Sequence, residues 1–176
     1  GVIRYINNAN ALIMGTAQIL KSNPKALIDG ARRAEQLIKS QAKEIADLNA
    51  KLASTHLDEF FVNAADINGV KVVTGFVKGA NADLLRDMCT RAKDKESSVV
   101  VVIATANEGK VTFAAGCGKD ALAKGANAGK IVRAVAQAAG GNGGGKPDMA
   151  MAGAKDESKI TEALAVVKDT VLSMLK

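Results

Sequence analysis

The 176-residue chain is 48% hydrophobic but only 3% aromatic, which fits one aliphatic, alanine-rich domain with an appendage in an ordinary soluble protein. Its formal net charge of +6 points to a polyanionic partner. One histidine, His56, and two isolated cysteines, Cys89 and Cys117, exclude a metal site built from the usual four N/S ligands, and no apolar run reaches membrane-spanning length. Two lone thiols fit a reducing compartment, and a chain that starts at Gly1 rather than at methionine reads as an excised fragment.

Residues 1–57 read as a helical arm. Val2, Ile6, Ala9, Leu12, Ile13, Ala17 and Leu20 recur by threes and fours, the spacing of one helix face. Ser22-Asn23-Pro24 breaks that helix, and Pro24 suits the first turn of the next, with Asn23 or Ser22 as its cap, so a helical hairpin is expected. Beyond Lys25, Ala31, Ile38, Ile45 and Leu52 lie seven apart, with Ala34, Gln41, Leu48 and Thr55 three residues behind each. That is a coiled-coil seam, with Ile38, Ile45, Leu48 and Leu52 as its apolar positions; it either pairs with a second copy or packs within its own chain. His56 falls near the expected helix end, where a cation complements the dipole.

Residues 58–176 read as an α+β domain: a small, mostly antiparallel sheet packed with helices. Phe60-Phe61-Val62 and Val70–Val77 flank Asn68-Gly69, a dipeptide that favours a hairpin turn, so they are expected to pair, with some helical character in the first. Asn81 or Asp83 opens a helix with Leu85, Met88 and Ala92 facing inward, closed by the charged run Lys93–Glu96 as a solvated end. Val99-Val100-Val101-Val102-Ile103 has the unbroken β-branched character of a strand buried on both faces. Val111, Phe113 and Ala115 alternate with Lys110, Thr112 and Ala114 and complete a second hairpin, giving three or four strands. Asn127 caps a helix with Ile131, Val132, Val135 and Ala138 on its buried side and Asn127, Lys130, Arg133 and Gln137 opposite. Met149–Ala152 is expected as an edge strand, and Asp156 as the cap of a last helix that buries Ile160, Leu164, Val167, Val171 and Met174.

Between the helix capped by Asn127 and the Met149–Ala152 strand lies Gly140-Gly141-Asn142-Gly143-Gly144-Gly145-Lys146-Pro147. Its first seven residues fit the phosphate-cradling pattern G-x-x-x-x-G-K-[ST], but the eighth is Pro147, which has no hydroxyl for magnesium, and a helix precedes the tract where a strand is needed. A nucleoside-triphosphate site is therefore rejected. A shaped loop remains, whose glycines permit positive φ and close backbone approach to an anion, with Lys146 at its rim. From Lys119 to Lys146 the bases Lys119, Lys124, Lys130, Arg133 and Lys146 face the single acid Asp120. The candidate RNA-binding set is Lys119, Lys124, Asn127, Lys130, Arg133, Gln137, Gly141, Gly143, Gly144, Gly145 and Lys146. With no aromatic side chain in that stretch, recognition of folded RNA by shape is favoured over stacking on single-stranded bases.

This tract resembles the signature of the C-terminal domain of alanyl-tRNA synthetase, Gly-Gly-x-Gly-Gly-Gly-Arg-Pro followed by Ala-Gln-Ala-Gly-Gly, which the RNA-binding domain of DHH-family phosphoesterases shares in looser form. Lys146 stands where that family usually has Arg, and Met151 where it usually has Gln. Arg4-Tyr5-Ile6, the Ser22-Asn23-Pro24 break and the lysine-rich heptads resemble the linker before that domain, so the likeness covers essentially the whole chain. The resemblance implies a module that grips the outer corner of tRNA and supports aminoacylation and editing in the cytoplasm. It implies no catalytic residue, metal or cofactor in this chain; ATP, magnesium and zinc would serve the catalytic and editing domains of the parent polypeptide. The competing readings are the nucleic-acid-binding part of a DHH-type phosphoesterase and a structural dimerisation module.

Overall fold

The computed structural model describes residues 1–107 and 109–175. Contacts divide the chain into two compact units, Gly1–Leu48 and Asn49–Lys176.

In the first unit, helix α1 (Val2–Ile19) ends where Lys21 turns into the left-handed region at φ 46°, and Pro24–Ala26 forms a single tight turn capped by Asn23, whose Oδ1 accepts from the Lys25 N–H at 3.0 Å. Helix α2 then begins, spanning Leu27–Val62. Ser22 closes the joint by donating to the Ala26 carbonyl at 2.9 Å, and Ala17 is the residue that α1 buries. The apolar stripes of the arm face solvent: Ile3, Leu12 and Ile19 in α1, and Ile38 and Ile45 in α2, are all exposed.

The second unit begins with the last turns of α2. Phe60-Phe61-Val62 is helical rather than a strand, because Leu57, Phe60 and Phe61 recur at helix spacing and pack onto the sheet as one face. His56 consequently lies well inside the helix, where it stacks on Phe60 with ring centroids 5.9 Å apart. The strand that completes the first hairpin is Ala65–Ile67 (β1), which pairs antiparallel with Val70–Phe76 (β2) across Asn68 and Gly69, at φ 52° and 71°. Both residues therefore take the positive-φ turn that the dipeptide favours.

Asn81 rather than Asp83 caps α3 (Ala82–Lys95): its Oδ1 accepts from the Leu84 N–H at 2.8 Å. This helix is the crossover that makes β2 parallel to β3 (Val99–Asn107). The charged run at its end ties elements together instead of merely meeting solvent: Lys95 reaches Asp58 at 2.5 Å, Lys93 reaches Asp148 at 3.6 Å and Glu96 reaches Lys71 at 3.1 Å. β3 is the buried centre, with Val99, Val101 and Ile103 toward α3 and Val100 and Val102 toward the opposite face. Each of these fully buried aliphatic side chains contributes about 1.5–3 kcal/mol relative to exposure.

β4 (Lys110–Cys117) runs antiparallel to β3, and a short α4 (Lys119–Ala123) leads to α5 (Ala128–Ala138). β5 (Asn142–Gly145) and β6 (Met149–Ala154) complete a six-stranded sheet of order β1-β2-β3-β4-β6-β5. Met149–Ala154 is thus an interior strand; the glycine tract itself forms the edge, and the sheet has more strands than the three or four expected. α5 and α6 (Ile160–Met174) cover one face, while α3 and the end of α2 cover the other. The mixed sheet, antiparallel at every pairing except β2–β3, makes the domain α+β.

Candidate nucleic-acid interface

α5 owes its position to a sharply divided sequence. Ile131, Val132, Val135 and Ala136 are fully buried, whereas Lys130, Arg133 and Gln137 are exposed along the opposite stripe. Asn127 holds the start of the helix, its Oδ1 accepting from the Lys130 N–H at 3.0 Å, so its side chain is committed to capping. At the other end Gly140, at φ 69°, reverses the chain: its N–H donates to the Gln137 carbonyl at 3.0 Å and that of Gly141 to the Ala136 carbonyl at 2.7 Å.

The chain then returns alongside α5 as β5. Gly140 is the one glycine of the tract with positive φ; at Gly141, Gly143 and Gly145 the backbone packs too closely for a side chain. A β-carbon at Gly143 would overlap Ala152, one at Gly145 would lie 2.8 Å from the Ala150 β-carbon, and one at Gly129 would lie 2.6 Å from the Gly145 carbonyl oxygen. Gly144 differs, since its added β-carbon would meet only the Arg133 guanidinium, at 3.3 Å. Arg133 donates from Nε to the Gly143 carbonyl at 3.3 Å, Asn142 Oδ1 accepts from the Gly143 N–H at 2.8 Å, and the Ala128 N–H donates to the Pro147 carbonyl at 2.8 Å.

This geometry brings Asn127, Lys130, Arg133 and Gln137 together with Gly141, Gly143, Gly144, Gly145 and Lys146. Among the described residues, no carboxylate pairs with Lys130, Arg133 or Lys146. Two of the sequence candidates lie elsewhere. Lys124 donates to the Asn68 and Gly69 carbonyls at 3.0 and 2.9 Å and so clamps the β1–β2 turn. Lys119 lines a different cleft of about 490 Å³ beside Lys93, Cys117 and Asp148.

Two bases absent from the sequence candidates flank the tract. Lys110 and Lys155 line a cleft of about 580 Å³ together with Gly140, Gly141 and Asn142. The register that pairs Val111 with Ala154 sets them side by side, although they are distant in sequence. Neither thiol offers a nucleophile: burial pushes Cys89 and Cys117 up to about 12. Among the described residues, no group of three or more His, Cys, Asp or Glu side chains is placed to hold a metal ion. Likewise, none of their helices is long and apolar enough to cross a membrane.

A DHHA1 domain model matches residues 69–173, from the β1–β2 turn to the last helix. The chain belongs to the DHHA1 domain family. This DHHA1 chain is 42% identical over 176 residues to the alanine–tRNA ligase of Acetivibrio thermocellus, covering 98% of this chain and 20% of that protein. It is 39% identical over 173 residues to the alanine–tRNA ligase of Burkholderia mallei, again covering 98% and 20%. It therefore spans about a fifth of the length of these curated relatives. Among solved structures, it resembles the C-Ala domain of Aquifex aeolicus alanyl-tRNA synthetase at 26% identity and TM-score 0.58, covering 62% of this chain and 97% of that one. The likeness in the glycine tract extends to the whole DHHA1 fold.

Proposed function

We propose that this DHHA1 domain is the tRNA-binding module of an alanine–tRNA ligase, gripping the outer corner of folded tRNA and so supporting aminoacylation and editing by the parent polypeptide in the cytoplasm. The observation that carries the reading is the continuous surface formed by the exposed stripe of α5 and the glycine strand β5, with Lys130, Arg133 and Lys146 free of acid partners among the described residues. Similarity to alanine–tRNA ligases and to a C-Ala domain supports the choice of tRNA over other polyanions. Bases on a rigid helix position a phosphate backbone without reading base edges, which suits a folded RNA recognised by shape. The chain itself binds; ATP, magnesium and zinc are required only by the catalytic and editing domains of the parent. The exposed seam of α2, at Ile38, Ile45, Leu48 and Leu52, is assigned to pairing with a second copy.

Binding of folded tRNA and of duplex DNA of equal length, compared at physiological salt, tests the reading. Preference for tRNA, lost in a Lys130, Arg133, Lys146 triple alanine variant that stays folded, is the expected result. Native affinity and native salt dependence in that variant would place the surface elsewhere.

A further inference from the structure

The Lys110–Lys155 cleft lies at the Asn142 end of β5, whereas Lys146 follows the opposite end at Gly145. The four residues of β5 span three steps of about 3.3 Å each, which separates its two ends by about 10 Å. That exceeds what one phosphate group can bridge, so charges at the two ends would engage different phosphates of a backbone laid along the strand.

The cleft is furnished with donors. The Lys110 and Lys155 side chains are exposed, and neither makes a salt bridge or side-chain hydrogen bond among the described residues. The nearest acid in sequence to Lys155 is Asp156, and its carboxylate is turned onto Ser158, accepting from the backbone N–H at 3.0 Å and from the hydroxyl at 2.5 Å. Asn142 Oδ1 is occupied by the Gly143 N–H, which leaves its Nδ2 amide as a donor without a partner among the described residues. The floor is backbone of Gly140, Gly141 and Gly153 beside Val111 and Ala154, so a polyanion can approach closely. Asn142 and Gly143 connect this cleft to Arg133 through successive hydrogen bonds.

We propose that the cleft formed by Lys110, Lys155 and the Asn142 amide is a second phosphodiester subsite for RNA, continuing the α5 and β5 surface past the start of the glycine strand. The assignment rests on the tRNA-binding reading, and its test separates the two. Equilibrium binding of folded tRNA is measured against salt for the native chain, for Lys110→Ala/Lys155→Ala, for Lys110→Arg/Lys155→Arg, and for the Lys130, Arg133, Lys146 triple alanine variant. Losing two phosphate contacts lowers the salt slope by about two units and weakens binding roughly tenfold at low salt, whereas the double arginine variant keeps both values near native. Both lysines are exposed, so the double alanine variant is expected to melt as the native chain does; if it does not, Lys155→Gln alone reports a slope change of about one unit. Native affinity and slope in the double alanine variant, with loss in the triple variant, overturns the subsite and leaves the tRNA-binding reading standing. Failure of the native chain to bind tRNA overturns both. Inorganic phosphate serves as the control ligand: saturable binding that Lys110→Ala/Lys155→Ala abolishes, with unchanged tRNA affinity, would assign the cleft to a small phosphate ligand and also overturn the subsite.

Discussion

Arg133 donates from Nε to the carbonyl oxygen of Gly143 at 3.3 Å, and this hydrogen bond ties the basic stripe of α5 to the edge strand β5, which also packs closely against the helix. The Gly143 N–H is met by Asn142, so both backbone groups of Gly143 are satisfied locally rather than offered as a sticky sheet edge. Lysine at this position keeps the charge but has no Nε–H fork to hold the strand. Arg133→Lys is therefore expected to weaken tRNA binding several-fold with a nearly native salt slope, whereas Arg133→Ala lowers the slope by about one unit as well. Filter binding across a salt series distinguishes the two; native affinity in Arg133→Lys, with loss in Arg133→Ala, would show that the strand contact is irrelevant.

Neighbouring glycines should behave in opposite ways. At Gly143 an added β-carbon overlaps the Ala152 backbone and side chain, so Gly143→Ala is expected to cost about 1–3 kcal/mol and lower Tm by several degrees. At Gly144 it meets only the flexible end of Arg133, at 3.3 Å, so Gly144→Ala should fold normally and displace the guanidinium. Thermal melts paired with tRNA binding check this: stability should fall in the first variant, and affinity alone in the second.

These glycines also show where sequence reasoning stops. The caps at Asn81 and Asn127, the turn at Asn68-Gly69 and the buried run Val99–Ile103 are local signals, and each appears in the structure where the pattern places it. Phe60-Phe61-Val62 carries β propensity, but its spacing with Leu57 lets the long helix continue and bury the same rings. Asn142–Gly145 has no intrinsic reason to be a strand; pairing with Met149–Ala154 and packing against α5 make it one, and neither is visible in the tract itself. The same non-locality hid Lys110 and Lys155, which become neighbours only once β4 is known to pair with β6.

Phe60 packs on Gly75, so that a β-carbon added at Gly75 would overlap its ring. Gly75→Ala alone is expected to cost about 1–3 kcal/mol by forcing the ring off the sheet. In a Phe60→Ala background the same substitution has room and should cost almost nothing, giving a coupling energy of at least about 1 kcal/mol. Urea unfolding of the four chains measures it, and additive effects would mean that the ring does not occupy that space.

Burial raises the Cys89 and Cys117 thiols from an ordinary 9.0 to about 12, so at about pH 8 only about one native thiol in ten thousand is ionised. A thiol-reactive disulfide reagent should leave the folded chain unlabelled and modify both residues on unfolding. Between about pH 9 and 12 the unfolded thiols lose protons that the folded ones keep, so the contribution of these groups to stability is present below pH 9 and is lost as pH rises through 12. Cys89→Ala/Cys117→Ala should flatten that alkaline decline relative to the native chain; an unchanged decline would assign it to other groups.

Ile38 and Ile45 sit one heptad apart on α2 at 66% and 59% exposure, unusually open for β-branched apolar side chains on a helix with this spacing. Single exposed apolar residues are ordinary, but Leu48 and Leu52 are exposed on the same helix, and the proposed pairing of two copies would cover the whole stripe. If a second copy covers it, Ile38→Asp/Ile45→Asp places unpaired charge on a buried interface, where its desolvation is strongly disfavoured. Sedimentation equilibrium should then give a dimer for the native chain and a monomer for the double variant, with helicity reduced because the exposed arm loses its packing. tRNA affinity per chain should be unchanged, since the substitutions leave the basic surface of α5 and β5 intact. A single monomeric mass for both chains would show that the seam does not pair copies of this chain.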